Sequence, residues 1–192
     1  MIYLKDDNVY FKIKKNMSSS TVSAITKQGG WQVLESKKIY KHPHLLDGKW
    51  KFAILREPID RFVSGYITVC KSNKPWEDMD WKTEEVMLKF LKELKGRGRA
   101  INGHPKCLNY HVAVQWSFLP CKIDYYAIQE RIEVDWLKIE QRTGLPLPEP
   151  ENVRDKETKE AIYNLLTPRI LKIIKKIYKK DFKLYGKYAT GK

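Results

Sequence analysis

The sequence predicts an α/β fold: a three-layer sandwich in which a mainly parallel central sheet lies between helices. Two observations predict it. Strand-like apolar runs are each followed by a segment of helical periodicity, and this order repeats three times. Strand–helix–strand order favours parallel crossovers. The 192 residues also suit one core, and no internal repeat or low-complexity segment divides them, so residues 1–192 read as one domain.

The elements follow in chain order. Val9–Lys14 (VYFKIK) alternates apolar and polar residues and predicts a strand. A helix follows from Ser18 to about Lys27, with Val22 and Ile25 on one face, and Gly29-Gly30 stops it. Val33-Leu34 and Lys38–Tyr40 read as a short strand or a loop. Lys51–Leu55 (KFAIL), bounded by Asp47-Gly48 and Arg56, is the second main strand. Pro58 fits the first turn of the next helix, where its missing N–H costs nothing. Lys82–Lys95 is an amphipathic helix and Gly96–Gly103 (GRGRAING) a basic loop. Ile123–Ile128 (IDYYAI) is the third strand, Val134–Arg142 its helix, and Leu145–Pro150 an extended Pro-rich stretch. Two helices close the chain, near Lys156–Leu166 and Pro168–Lys180. The second sets lysines on one face against Ile170, Ile173, Ile174 and Ile177 on the other.

Composition narrows the class. With 42% hydrophobic and 31% charged residues, the chain reads as soluble and globular. A net charge of +14 favours polyanionic partners: nucleic acid, anionic glycans, phosphate-bearing cofactors or a membrane surface. Cys70, Cys107 and Cys121 are too few and too odd in number for a disulfide framework; one Cys107–Cys121 bridge stays open. No apolar run approaches the roughly 20 residues of a membrane span. The start, MIYLKDDNVY, has charges where a signal peptide needs an apolar stretch. The expected location is cytoplasmic or otherwise soluble, or the Golgi lumen if the sequence is a piece of a longer one.

KIKKNMSSST (12–21) joins the first strand to its helix. Ordinary capping needs one hydroxyl, not four. A helix N-terminus with Ser18, Ser19, Ser20 and Thr21 supplies N–H and O–H donors, and Lys15 adds a full charge, so the loop suits a phosphate or sulfate. It is not a Walker loop, since GxxxxGK is absent. The plain alternative is a serine-rich surface turn. ILREPIDRFVSGY (54–66) repeats the arrangement: a strand end delivers Arg56, and the helix brings Ser64 towards the same place. Arg56 can fork two hydrogen bonds onto a phosphate. The plain alternative is a helix start with solvated charges.

LREPIDRFVSGY closely resembles the 3′-phosphate-binding motif of PAPS-dependent sulfotransferases, R-D/E-P-x-x-R-hydrophobic-x-S-x-Y. IKKNMSSST resembles their 5′-phosphosulfate loop, about forty residues earlier. The nearest group is that of carbohydrate sulfotransferases, which modify glycosaminoglycans and related glycans. YYAIQERIEVDW (125–136), with Glu130 and Asp135, LPLPEPENV and the ending ILKIIKKIYKKDFKLYGKY extend the similarity over nearly the whole chain. Departures are Lys14-Lys15 in place of the common Pro-Lys, Met17 where glycine or alanine is frequent, and Gly-Lys-Tyr in place of Gly-Tyr.

The resemblance implies a P-loop-like sulfotransferase fold and transfer of a sulfuryl group from PAPS (3′-phosphoadenosine 5′-phosphosulfate) to an acceptor hydroxyl, with PAP as product and no metal. Ser18, Ser19, Ser20 and Thr21 would hold the 5′-phosphate, and Lys15 would neutralise charge on the leaving group. Arg56 and Ser64 would clamp the 3′-phosphate, with Arg61 as a helper or a surface residue. His44 or His42, between the two motifs, is the implied base, an acidic residue the alternative; His111 would line the site instead. The implied acceptor is a glycan, anionic or neutral; the basic surplus offers Arg97, Arg99, Lys71, Lys74 and Lys106 to guide it and Trp76 and Trp81 to stack on sugars, the plain alternative being lysines that solvate helices and tryptophans that pack. The four histidines lack zinc-ligand spacing. A basic nucleic-acid-binding module, a P-loop small-molecule kinase and a sulfotransferase that binds the nucleotide without turnover are the competing readings.

Overall fold

The computed structural model describes residues 1–97, 100–101, 104–105, 109–150 and 156–190. Arg99, Lys106 and Cys107 lie outside the described residues, as does the end of LPLPEPENV.

The chain opens with a hairpin of β1 (Ile2–Lys5) and β2 (Asn8–Phe11), paired antiparallel with Ile2 opposite Phe11. Its two-residue turn places Asp6 at φ 51°, a left-handed conformation that Asp tolerates better than most residues. Helix α1 (Ser18–Gln28) follows, then β3 (Gln32–Leu34), which pairs antiparallel with β1, and α2 (Ser36–Lys41). Strand β4 (Trp50–Leu55) pairs parallel with β2 and leads into α3 (Pro58–Ser72). Helix α4 (Glu84–Arg97) and a small ladder of β5 (Ala100–Ile101) and β6 (His104–Pro105) precede β7 (Tyr125–Ile128), which pairs parallel with β4. Helices α5 (Ile132–Thr143), α6 (Lys156–Asn164), α7 (Pro168–Ile177) and α8 (Lys179–Ala189) complete the chain.

The five-stranded sheet has the order β3-β1-β2-β4-β7. It is mixed, where a mainly parallel sheet was expected, because β1 runs against both of its neighbours. The parallel part, β2-β4-β7, is buried on both faces, as parallel strands require. Val9, Phe11, Ala53 and Leu55 face one side, with Ile39 of α2 and Leu184 and Tyr188 of α8 packed on them. Tyr10, Phe52, Ile54 and Ala127 face the other, against Ala24 and Ile25 of α1 and Trp136 and Ile139 of α5. A third cluster lies among the helices: Phe62, Tyr66, Phe90, Ile170, Ile174 and Tyr178, with Tyr66 edge-on to Phe90 at 4.9 Å. Cys70 and Cys121 are free thiols. Among the described residues, no helix is long and apolar enough to cross a membrane.

Strands β2, β4 and β7 end at the same edge of the sheet. Each delivers its chain to a helix N-terminus there: α1, α3 and α5. That edge, the carboxyl end of parallel strands, is where open α/β sheets form clefts.

Candidate active site

The loop from β2 to α1 turns sharply, with two residues in the left-handed region: Lys15 at φ 70° and Met17 at φ 49°. Each costs of order 1–2 kcal/mol without a glycine. Met17 stands where the resembling family often has glycine or alanine. The turn persists because its carbonyls and one amide are held from outside. Arg61 Nε donates to Lys14 O at 3.0 Å, and Arg56 Nη1 donates to Lys15 O at 3.0 Å. Asn16 Nδ2 donates to Ile54 O at 2.7 Å and to Gln115 Oε1 at 2.6 Å. Lys15 Nζ donates to Thr68 Oγ1 on α3 at 2.9 Å.

Helix α1 begins at Ser18, and the first bond of its ladder is Thr21 N to Met17 O at 2.9 Å. The N–H groups of Ser18 and Ser19 therefore have no acceptor within the helix. Its first turn carries no acidic side chain. At α3, the Glu57 carboxylate caps Asp60 N at 2.7 Å, Pro58 fills the first position, and Glu57 N donates to Glu130 Oε1 at 2.9 Å.

These elements enclose a cleft of about 450 Å³. Lys14, Lys15, Ser18, Ser19 and Ser20 line one wall; Arg56, Ser64 and Ile67 line another; His111, Gln129, Ile132, Pro150 and Lys159 close it. Four of these are cations, and none of the described lining residues is Asp or Glu. The field inside favours an anion. Arg56 and Lys159 share one carboxylate, Asp60: Arg56 binds it through Nε at 2.7 Å and through Nη2, and Lys159 Nζ lies 2.9 Å from Oδ1. Burial works against the Asp60 charge, but Arg56, Tyr163 and Lys159 prevail and hold its carboxyl down to about 2. Of the five N–H groups of Arg56, three are engaged by Asp60 and Lys15 O, which leaves two for a further anion.

A family model, described as the sulfotransferase family, matches residues 1–189. The chain belongs to the sulfotransferase family. Neither comparison with curated proteins nor comparison with solved structures gave a match.

In this sulfotransferase, the predicted residues fall into three groups. Lys15, Ser18, Ser19, Ser20, Arg56, Ser64 and His111 come together around the cleft, from three segments of chain. Thr21 and Arg61 lie behind it. Thr21 is fully buried and donates to Met17 O at 2.9 Å. Arg61, expected as a phosphate helper or a surface residue, is not on the surface: it is fully buried, does not line the cleft, and donates to Lys14 O and Ala113 O. His42 and His44 are exposed, 5.7 Å apart, on the turn that leads into the start of β4, and the cleft opens beyond that strand's other end. Trp76, expected on the acceptor surface, is 1% exposed and packs edge-on against Phe90 at 5.0 Å, which removes it from any contact with a sugar. Arg97 ends α4, and Arg99 lies outside the described residues.

Sequence reasoning missed Asn16, Lys159 and the role of Gln115. Asn16 sits inside the quoted loop; a polar residue directly after two lysines reads as surface, yet it is fully buried. Lys159 arrives from α6, and only the packing of α6 on α3 reveals it. Among the described residues, no group of His, Cys, Asp or Glu could hold a metal.

Proposed function

We propose that this sulfotransferase binds PAPS in the cleft and transfers its sulfuryl group to a hydroxyl of a glycan. One observation carries the reading: the lysines and serines after β2 and Arg56 after β4 line the same cleft, and the two segments are joined by the Arg56–Lys15 hydrogen bond. In this reading, the N-terminus of α1 with Ser18, Ser19 and Ser20 holds the 5′-phosphate. Arg56 and Ser64 hold the 3′-phosphate, with Lys159 beside them. A neighbouring hollow of about 430 Å³ between α1 and residues 146–150, sharing Ser20 and Pro150 with the cleft, takes part of the nucleoside.

Transfer then proceeds in line. The acceptor oxygen attacks sulfur, the bond from sulfur to the bridging oxygen breaks, and PAP leaves with the electron pair. Lys15 neutralises the charge that grows on the 5′-phosphate, an effect worth on the order of 10²–10³ in rate for one such donor. The acceptor proton passes to a base. His111 supports that role better than His42 or His44, because it lines the cleft and they do not. The net charge of +14 and the resemblance to glycan-modifying members support an anionic glycan as acceptor. A P-loop-like arrangement of β2, the serine loop and α1 fits the same reading.

Thermal unfolding with added ligands tests it. PAP at a hundredfold excess over its Kd should stabilise the chain by ~2.7 kcal/mol. A shift with ATP–Mg²⁺ alone would favour a kinase, and a shift with duplex DNA alone would favour a nucleic-acid-binding module. Transfer of labelled sulfate to a panel of glycans, peptides and phenols then identifies the acceptor.

A further inference from the structure

Gln115 does not line the cleft, yet its side chain ends on both of the loops that form it. The residue is fully buried. Its Oε1 accepts from Asn16 Nδ2 at 2.6 Å and from Arg56 N at 3.1 Å, and its Nε2 donates to Arg56 O at 2.9 Å. The two bonds to Arg56 copy what a peptide group of a neighbouring strand would make, so the amide extends the end of β4 by one rung. Asn16 also donates to Ile54 O at 2.7 Å. Ile54, Asn16, Gln115 and Arg56 thus close a ring of hydrogen bonds between the loop after β2 and the loop after β4.

The ring is anchored from a third direction. The backbone N–H groups of Gln115 and Trp116 donate to the Asp181 carboxylate on α8, at 2.7 and 3.0 Å. Four residues before Gln115, the chain is pressed onto α3: a Cβ at Gly65 would lie 2.4 Å from His111 O. Gln115 therefore has little freedom of its own, and it passes that rigidity to both loops.

We infer that Gln115 is the positioning residue that fixes the spacing between the two anion sites, so that one nucleotide carrying both phosphates engages both loops at once. The inference rests on the nucleotide reading proposed above. Each loop has further supports: Arg61 holds Lys14 O, and Asp60 holds Arg56. Loss of the Gln115 amide therefore leaves each anion site present but loosens their separation, which the Arg56–Lys15 and Asn16–Ile54 hydrogen bonds then hold alone. The effect falls on a ligand that must span both sites and spares one that needs a single site.

Calorimetric titration of PAP and of 5′-AMP, which lacks the 3′-phosphate, separates the outcomes. Gln115→Met keeps the volume and removes all three bonds. The expected result is a PAP affinity lowered about tenfold or more with 5′-AMP changed less than about threefold, so that the preference for PAP narrows. A proportional loss for both ligands, or no loss, assigns Gln115 a merely structural role and overturns the inference. Asn16→Ala opens the same ring from the other loop; it should narrow the same ratio, and it serves where Gln115→Met does not fold. Failure of the unaltered chain to bind PAP overturns the nucleotide reading itself, whatever the variants do.

Discussion

Arg56 Nη1 donates to the carbonyl oxygen of Lys15 at 3.0 Å, across 41 residues of sequence. The cation of the second motif therefore holds the backbone of the first. In the proposed reading its substitution removes a phosphate ligand, and it loosens the serine loop as well. Arg56→Ala should weaken PAP binding on the order of 100-fold. Arg56→Lys keeps the charge but not the fork, and should still lose about tenfold. Calorimetry reads both, and a lysine variant binding as tightly as the original would count against this geometry.

Arg61 acts through stability. Its guanidinium serves Lys14 O and Ala113 O and lies near Asp181, in a fully buried place. Arg61→Met would leave the Lys14 and Ala113 carbonyls without these donors and the buried Asp181 carboxylate without the cation that favours its charge. A loss of about 3–5 kcal/mol is expected in urea unfolding, the usual range for a broken buried pair. A loss below about 1 kcal/mol would contradict it.

Gly65 tests the contact between α3 and the segment carrying His111 and Gln115. An added Cβ would meet His111 O at 2.4 Å and Val112 Cγ1 at 2.9 Å, and a backbone oxygen has little room to yield. Gly65→Ala should cost about 1–3 kcal/mol and lower PAP affinity as well. An unchanged melting temperature would show that the segment is free to move.

The histidines separate by position. With an acceptor in hand, His111→Asn should slow sulfate transfer by ~10²–10⁴ while PAP affinity stays within about threefold. The His42→Ala, His44→Ala double variant should transfer near the original rate. The reverse result would move the base to the turn before β4.

A buried carboxyl and a half-buried one give opposite pH dependences. Burial pushes Asp181 up from 3.8 to about 6, although Arg61 and the two N–H donors pull it down. The folded state then binds this proton more tightly than the unfolded state, so the stabilisation is full below about 4 and is lost as pH rises through about 6. Asp60, lowered from 3.8 to about 2, contributes above about 4 and loses that contribution as pH falls through about 2. Asp181→Asn should reduce the slope of unfolding free energy against pH between about 4 and 6 and leave the acid limb in place. Denaturant melts across that range check it; an unaltered slope would show that Asp181 does not titrate there.

Much of the fold was legible because its signals were local. VYFKIK, KFAIL and IDYYAI mark β2, β4 and β7 to within a few residues, and Pro58 and Gly144 mark helix ends. Strand β1 was not read: four residues, IYLK, carry too little pattern without the partner strand that pairs with them. Lys38–Tyr40 was expected as a short strand or loop and lies in α2, where burial of Ile39 against the sheet decides the matter. The second closing helix was read as one element through Lys180; the chain breaks it at Tyr178 and continues in α8. At the cleft, Lys15, the serines and Arg56 were legible because each follows a strand end, and Ser64 because it lies at helical spacing from Arg56. Asn16, Gln115 and Lys159 were not, because their roles come from contacts between distant segments, which no local pattern encodes.

A crystal structure of the chain with PAP bears most directly on the central proposal. The account predicts one nucleotide in the cleft, its 5′-phosphate at the N–H groups of Ser18–Ser20 and its 3′-phosphate on Arg56 and Ser64. A nucleotide bound elsewhere, or one that touches only one of the two loops, would contradict it.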